Sequence, residues 1–310
     1  MRTIIFFNHC HNGDLIVSKE FVRELMRKVP ANYIYAHTKS PNLLKDMIGR
    51  TTDDDYNRTS GSIGKYPKKF VFPLPNVTVI NTWWGAYYKE WEVNENFYDV
   101  VSPSFSKIDL NWEVYYEIFE YIFKVCARHF DMDLTLDEKS PIEYAHKIDY
   151  SLFSLPEIKL TTKKSVYFAN GLPMSGQSHL YNDMSEHIIY FAERLPNITF
   201  YCSQKFFTIL PNIVFTDDIF NRPFDDLNET AYLSQLCNGI VGRNSGTFHI
   251  TNTKHNLNDP NKHLLVFGNH EGHCFPYNLK FPANFTFVED INEHVVRQAL
   301  ANLLTKIIFD

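Results

Sequence analysis

Short apolar runs alternate along the chain with longer stretches whose apolar residues recur at helical spacing. The run Thr3–Phe7 is followed by residues 15–28, where apolar side chains lie three and four positions apart, so a strand and then a helix are predicted. The same order restarts at residues 165–169 and 179–194. Two such series of strand, loop and helix predict an α/β protein with two Rossmann-like, doubly wound domains.

The predicted boundary between the domains falls in residues 151–162, which contain Pro156 and show little periodicity. We therefore expect an N-terminal domain over residues 1–155 and a C-terminal domain over 156–310. Further strands are predicted at 33–36, 77–81, 198–202, 213–216, 239–242, 263–268 and 285–288. Further helices are predicted at 42–48, 104–129, 226–236, 246–253 and 291–308, and residues 50–69 read as a long polar loop.

Composition and charge narrow the function classes. Hydrophobic residues make up 44% of the chain and aromatic residues 15%, which favours packed cores over disorder. The net charge of -6 and the absence of a basic run argue against nucleic-acid binding. No apolar stretch approaches the ~20 residues of a transmembrane helix, and the N-terminus does not resemble a signal peptide. The five cysteines form no Cys-x-x-Cys pair, so we expect reduced thiols and a cytoplasmic protein.

A turn rich in small residues follows the predicted strand 239–242 and precedes a predicted helix. Such a turn brings backbone N–H groups to a ligand, and the start of a helix favours an anion. The candidate diphosphate-binding residues are Gly242, Arg243, Asn244, Ser245, Gly246, Thr247 and His249. The loop after the first strand of the second domain adds Asn170, Gly171, Ser175 and Gln177 as candidates for phosphate or ribose. An ordinary strand-to-helix connection and an ordinary polar loop are the alternatives.

Three segments of the chain resemble motifs of one known family, and they occur in the same order and in the same domains as in that family. The run from Gly13 to Pro30, which opens Gly-Asp and continues as a helix, resembles the first loop and helix of the heptosyltransferase-like glycosyltransferases, the ADP-heptose:LPS heptosyltransferase family. Ser245-Gly-Thr-Phe-His249 is similar to that family's Ser/Thr-Gly-x-x-His turn. Val266-Phe-Gly268 is similar to the strand that follows it.

This resemblance implies a GT-B fold, in which two Rossmann-like domains face each other across a cleft. It also implies metal-independent, inverting transfer of a sugar from a nucleoside-diphosphate donor to an acceptor hydroxyl, without a cofactor. Asp14 aligns with the family's catalytic base, which takes the acceptor proton. From the residues alone, capping the helix that follows is the favoured role of Asp14, and the resemblance favours the catalytic base. The family usually has Asp where this chain has Asn244, so the donor sugar stays open.

Candidate acceptor-binding residues follow two strands of the first domain: His9, His11, Asn12, Gly13, Trp83 and Trp84. Sugar rings stack on aromatic faces, although packing in a core is the commoner role of such side chains. The histidines, including His270 and His273, lack zinc-ligand spacing, so no metal is predicted. The partners expected are a nucleotide sugar and a glycan or other hydroxyl acceptor. The alternatives are a nucleotide-sugar epimerase or hydrolase of the same fold, or a non-catalytic nucleotide-binding module.

Overall fold

A computed structural model describes most of the chain, namely residues 2–7, 12–36, 41–47, 71–74, 77–82, 112–139, 141–153, 155–158, 162–171, 184–221, 227–269 and 281–310. Its contacts divide the chain into two compact units, one built from Met1–Tyr144 and the other mainly from Ala145–Phe275 and Leu279–Asp310. This division falls before residue 155, because the intervening segment packs on the second unit. There the rings of Tyr150 and Tyr232 lie 5.2 Å apart.

The first unit contains a four-stranded sheet in the order β2-β1-β4-β3. Its strands are β1 (Thr3–Phe7), β2 (Asn32–Ala36), β3 (Val71–Leu74) and β4 (Val77–Asn81). β1 pairs in parallel with β2 and β4, whereas β3 is antiparallel to β4. The sequence did not predict β3, which contains Pro73. Proline is tolerated there because the strand is an edge strand.

Two helices of the first unit are joined by stacked aromatic rings. They are α1 (Asn12–Lys28) and α2 (Trp112–Phe130). The ring of Phe21 stacks on that of Phe119 with centroids 4.5 Å apart, and on that of Tyr144 at 4.1 Å. α1 begins earlier than the predicted residue 15, so Asp14 lies inside its first turn and not before it. That turn favours acidic side chains because of the helix dipole.

A buried carboxylate ties α1 to the segment that follows α2. Glu24 is fully buried. It accepts hydrogen bonds from the backbone N–H of Asp137 and from Lys139 Nζ, each at 2.6 Å, and from the Tyr144 hydroxyl at 3.2 Å. Lys28 Nζ lies 3.1 Å from the same carboxylate. A buried charge of this kind is stable only while its partners remain.

The second unit is organised around a six-stranded sheet in the order β10-β9-β8-β5-β6-β7. Its strands are β5 (Lys164–Ala169), β6 (Ile198–Cys202), β7 (Ile213–Phe215), β8 (Gly239–Arg243), β9 (His263–Gly268) and β10 (Asn284–Glu289). All pairs are parallel. The first strand of the unit lies in the middle, and the order reverses beside it, as in dinucleotide-binding sheets. The Rossmann-like prediction is therefore confirmed for this unit.

The helices of the second unit connect these strands, and one predicted helix is divided. They are α3 (Ser185–Arg194), α4 (Thr216–Phe220), α5 (Leu227–Leu236), α6 (Gly246–His249), α7 (Lys254–Asn258) and α8 (Glu293–Phe309). The prediction of one helix over 246–253 was wrong. Thr253 has an extended backbone, and its side chain accepts from the backbone N–H of Asn256. Its hydroxyl therefore caps a new helix, a common role for threonine.

Candidate functional site

The two segments predicted to bind the donor meet at the carboxyl ends of β5 and β8. The two strands are neighbours, and Ala169 pairs with Gly242 in the parallel ladder. Asn170 and Asn244 therefore follow adjacent strands at the same edge of the sheet. The order of the sheet reverses between these strands, and ligands of open α/β sheets bind in the crevice outside such a reversal.

Asn170 joins the end of β5 to the segment after β6. Its Oδ1 accepts from Ser203 Oγ at 3.0 Å and from the backbone N–H of Gln204 at 2.9 Å, and its Nδ2 donates to the Gln204 carbonyl at 3.0 Å. The Asn170 backbone N–H donates to Ser203 Oγ at 3.1 Å. These bonds engage both ends of the amide, which favours a positioning role. A Cβ on Gly171 would lie 3.0 Å from Gln204 Nε2, so the chain is closely packed here.

The turn after β8 is held at both ends. The Asn244 backbone N–H donates to the Phe267 carbonyl of β9 at 2.8 Å. Ser245 is the N-cap of α6, where its Oγ accepts from the backbone N–H of Phe248 at 3.3 Å. The N–H groups of Gly246 and Thr247 belong to the first turn, in which a helix supplies no acceptors of its own. The turn thus has the form of an anion-binding helix start.

Asn244 and His249 form an uncharged, hydrogen-bonded pair inside this turn, in which Asn244 is fully buried and His249 is partly buried. His249 Nε2 lies 2.9 Å from Asn244 Oδ1. Burial of the imidazole lowers the pKa of His249 to about 4. The ring is therefore neutral near pH 7, and its Nε2–H donates to the amide oxygen. The Asn244 side chain is fully buried, and its Nδ2 meets no hydrogen-bond acceptor within the described ranges.

Arg243 is buried, and its charge is balanced by an aspartate that follows β10. Only 3% of Arg243 is exposed. Its Nε lies 3.9 Å from Asp290 Oδ2, and the Asp290 side chain is also buried. Arg243, one of the candidate diphosphate-binding residues, therefore forms an ion pair that links the ends of β8 and β10. This geometry favours Arg243 as a structural group behind the turn.

Gly242 allows α6 to pack directly on the sheet. A Cβ at this position would lie 2.7 Å from Phe248 Cδ2, 3.1 Å from Phe248 Cβ and 3.0 Å from Ala169 Cβ. Phe248 is fully buried. The absence of a side chain at Gly242 thus lets Phe248 of α6 approach β8 closely, a role that glycine often has in helix–sheet packing.

In the first unit, the structure describes less of the candidate site. Asp14 lies in the first turn of α1, as do Asn12 and the half-buried Gly13, but the side chains of Asn12 and Asp14 lie outside the description. β1 and β4 end in register at Phe7 and Asn81. Outside the described residues lie His9, His11, Trp83 and Trp84 of the first unit, and Ser175, Gln177, His270 and His273 of the second. Their roles stay predictions.

The described residues contain neither a cluster of metal ligands nor a helix able to span a membrane. No group of three or more His, Cys, Asp and Glu side chains in that part of the chain is arranged to hold a metal ion. No helix in the same ranges combines the length and apolar character needed to cross a bilayer.

Sequence reasoning missed several residues that shape the site. Ser203 and Gln204 hold Asn170, Asp290 balances Arg243, and Phe248 supports the turn. Two of these residues could have been found from their position in the sequence, because Ser203 and Asp290 directly follow β6 and β10. Polar residues at the carboxyl ends of parallel strands lie where ligands of such sheets bind.

No family model and no curated protein matches this chain. Solved structures do. The chain is similar to E. coli heptosyltransferase WaaC with ADP, at 10% identity and a TM-score of 0.56, over 98% of this chain and 99% of that one. For WaaC with ADP-2-deoxy-2-fluoro heptose, the identity is 10% and the TM-score 0.54, over 97% of this chain and 99% of that one. For E. coli ADP-heptose LPS heptosyltransferase II, the identity is 14% and the TM-score 0.50, over 99% of each chain.

At such low identity the likeness concerns the fold. It extends over nearly the full length of this chain and of the two E. coli proteins. The resemblance carried by residues 13–30 and 245–268 is thereby confirmed at the level of structure: this chain has an α/β fold similar to that of heptosyltransferases.

Proposed function

We propose that the protein is a glycosyltransferase that moves a sugar from a nucleoside-diphosphate donor to an acceptor hydroxyl, with inversion and without a metal ion. One observation carries the proposal. Asn170 and the turn beginning at Asn244 meet where the strand order reverses, in a chain whose whole length has the fold of heptosyltransferases. The second unit would bind the donor, and the first unit would bind the acceptor.

The donor diphosphate would lie against the turn between β8 and α6. The leaving nucleoside diphosphate gains negative charge as the glycosidic bond breaks, and donors fixed in advance stabilise that charge. The N–H groups of Gly246 and Thr247 would supply such donors, as would the hydroxyl proton of Ser245, whose oxygen caps α6. Because Arg243 is paired with Asp290, its charge acts on the leaving group only as part of an ion pair. Backbone groups therefore carry more of the binding than the arginine.

The acceptor hydroxyl would be deprotonated by Asp14. Asp14 belongs to the first turn of α1, where the helix dipole favours negative charge, and its carboxylate would take the proton of the acceptor hydroxyl. Because β1 and β4 end together, the loops after them would form the acceptor site. A glycan or another hydroxyl compound is the proposed acceptor. No cofactor or nucleic acid takes part.

ADP and ADP-sugars are the first donors to test, because the two WaaC structures are complexes with ADP and with an ADP-linked heptose. Binding to the folded protein raises its melting temperature by mass action, so a thermal-shift screen with ADP, UDP and GDP ranks the nucleotides. The nucleotide with the largest shift then identifies the donor series for activity measurements.

Asp14→Asn is the test of the mechanism. The variant should lose about 10²- to 10⁴-fold in sugar transfer, the usual contribution of a general base. Its thermal shift with the nucleotide should be unchanged, because the donor binds the other unit. Asp133→Asn changes an exposed aspartate of the same unit and serves as the control. Full turnover by Asp14→Asn would remove this residue from the mechanism.

A non-catalytic nucleotide-binding module is the second candidate. It is favoured by Asn244, which stands where the family usually has an acid, and by the compensated charge of Arg243. Such a protein would show the thermal shift but would release no sugar from the donor over hours. An epimerase would convert the donor without any acceptor, so analysis of products with and without acceptor separates the transferase, the epimerase and the non-catalytic module.

A further inference from the structure

Three buried hydroxyls link three elements of the first unit. Ser18 lies on α1, Tyr35 on β2, and Thr82 directly after β4, and all three residues are fully buried. Ser18 Oγ lies 3.1 Å from the Tyr35 hydroxyl, which lies 2.9 Å from Thr82 Oγ1. Hydrogen bonds in a buried setting are costly to break, since the remaining partners cannot turn to water.

The direction of this hydroxyl chain follows from counting protons. Ser18 Oγ donates its single proton to the Leu15 carbonyl at 2.7 Å. It can then only accept from Tyr35, so the Tyr35 proton is used there and Tyr35 in turn accepts from Thr82. The donations run from Thr82 through Tyr35 and Ser18 to the carbonyl of Leu15.

Both ends of the hydroxyl chain lie beside segments assigned to the acceptor site. Leu15 is the neighbour of Asp14, and Ser18 lies one helical turn after Asp14 on α1. At the other end, Thr82 precedes Trp83. Tyr35 is therefore the link between the turn that carries the proposed base and the end of β4.

We infer that Thr82, Tyr35 and Ser18 are positioning residues that hold the first turn of α1, and with it Asp14, in register with the end of β4. This inference rests on the proposed function for its catalytic consequence. None of the three hydroxyls needs to touch substrate. They act through the carbonyl of Leu15, which fixes where the backbone of Asp14 lies.

Tyr35→Phe tests the inference because it removes both central hydrogen bonds and keeps the ring. Tyr33→Phe is a matched control. Tyr33 lies on the same strand, and its hydroxyl donates to the carbonyl of Val29, at the far end of α1. Misplacing a catalytic group by about 1 Å can cost on the order of 100-fold in rate. We expect Tyr35→Phe to lower kcat at least about tenfold with the KM for donor unchanged, and Tyr33→Phe to keep kcat within about twofold.

A second pair of variants covers the case in which Tyr35→Phe fails to fold. Thr82→Val breaks the outer bond of the hydroxyl chain and should lower kcat in the same way, whereas Thr82→Ser keeps a hydroxyl and should restore it. Equal kcat values for the Tyr35 and Tyr33 variants, measured per folded molecule, would overturn the inference. So would a Thr82→Val enzyme with wild-type kcat.

Amide hydrogen exchange separates this inference from the proposed function. Tyr35→Phe should speed exchange in residues 15–19 of α1, while Tyr33→Phe should not. If the wild-type protein transfers no sugar, the proposed function fails, and the exchange result alone decides the positioning role. Unchanged exchange in residues 15–19 would then refute it.

Discussion

Replacing Gly242 by alanine tests how closely the turn depends on helix–sheet packing. The added Cβ would meet two atoms of Phe248, at 2.7 Å and 3.1 Å, and the Ala169 Cβ at 3.0 Å. The nearest of these atoms belongs to a buried ring, and the others lie next to the backbone. None can move aside alone, so α6 must shift away from β8.

The expected cost follows from this geometry. Overpacking a well-packed core by one methyl group typically destabilises a protein by about 1–3 kcal/mol. We expect Gly242→Ala to lie in the upper half of that range, because Phe248 is fully buried and Ala169 belongs to a central strand. The shift of α6 also moves the N–H groups of the turn, so nucleotide affinity should fall by on the order of tenfold, or about 1.4 kcal/mol.

Gly239→Ala on the same strand provides the control. Its Cβ would lie 2.5 Å from Ile307 Cδ1, the flexible end of a side chain, and 3.4 Å from Val166 Cγ1. We expect it to cost about 1 kcal/mol or less and to leave nucleotide affinity unchanged, since it lies at the other end of β8. Urea denaturation and isothermal titration with the nucleotide measure both quantities. Equal losses of stability and affinity in the two variants would refute the packing role of Gly242.

Two further predictions concern the ionisable groups of His249 and Glu24. The pKa of His249 is about 4 in the folded protein and 6.5 in the free group. As pH falls, the unfolded chain therefore binds this proton before the folded protein does. The free energy of unfolding should decrease between pH 6.5 and 4, by at most about 3 kcal/mol. His249→Gln should remove this part of the pH dependence of stability, measured by urea denaturation. Asn244→Asp should raise the pKa of His249, measured by NMR titration. A pH dependence that His249→Gln leaves unaltered would contradict its assignment to His249. Glu24→Gln should cost at least about 2 kcal/mol by thermal or urea unfolding, because it removes a buried charge from its partners. Glu120→Gln, which breaks an exposed pair with Lys124 on α2, should cost no more than about 0.5 kcal/mol, and equal losses would show that burial does not matter here.

The alternation of apolar runs and helical spacing predicted most of the second unit. Strands β6, β8 and β9 are buried along their whole length, so each appears in the sequence as a short, largely apolar run. β3 was missed because Pro73 argues against a strand unless the strand lies at an edge, and edge position is a property of the assembled sheet. The start of α1 was placed late because Gly13 and Asp14 suggested a loop.

The chemistry of the candidate site was predictable only where it depends on local sequence. The turn with its Ser245 cap could be anticipated from a strand, small residues and a helix start. The pairing of Arg243 with Asp290 could not, because it joins residues far apart in the chain through the order of strands in the sheet. For the same reason, the bond between Tyr35 and Thr82 has no signature in the sequence.

The central claim is that a nucleoside diphosphate binds at the carboxyl ends of β5 and β8. Amide hydrogen exchange of the wild-type protein, with and without a saturating concentration of the nucleotide chosen by thermal shift, tests it most directly. The account predicts slower exchange in residues 169–171 and 243–249, and unchanged exchange at the amino ends of the same strands. Slower exchange elsewhere in the second unit, with none at these residues, would contradict it.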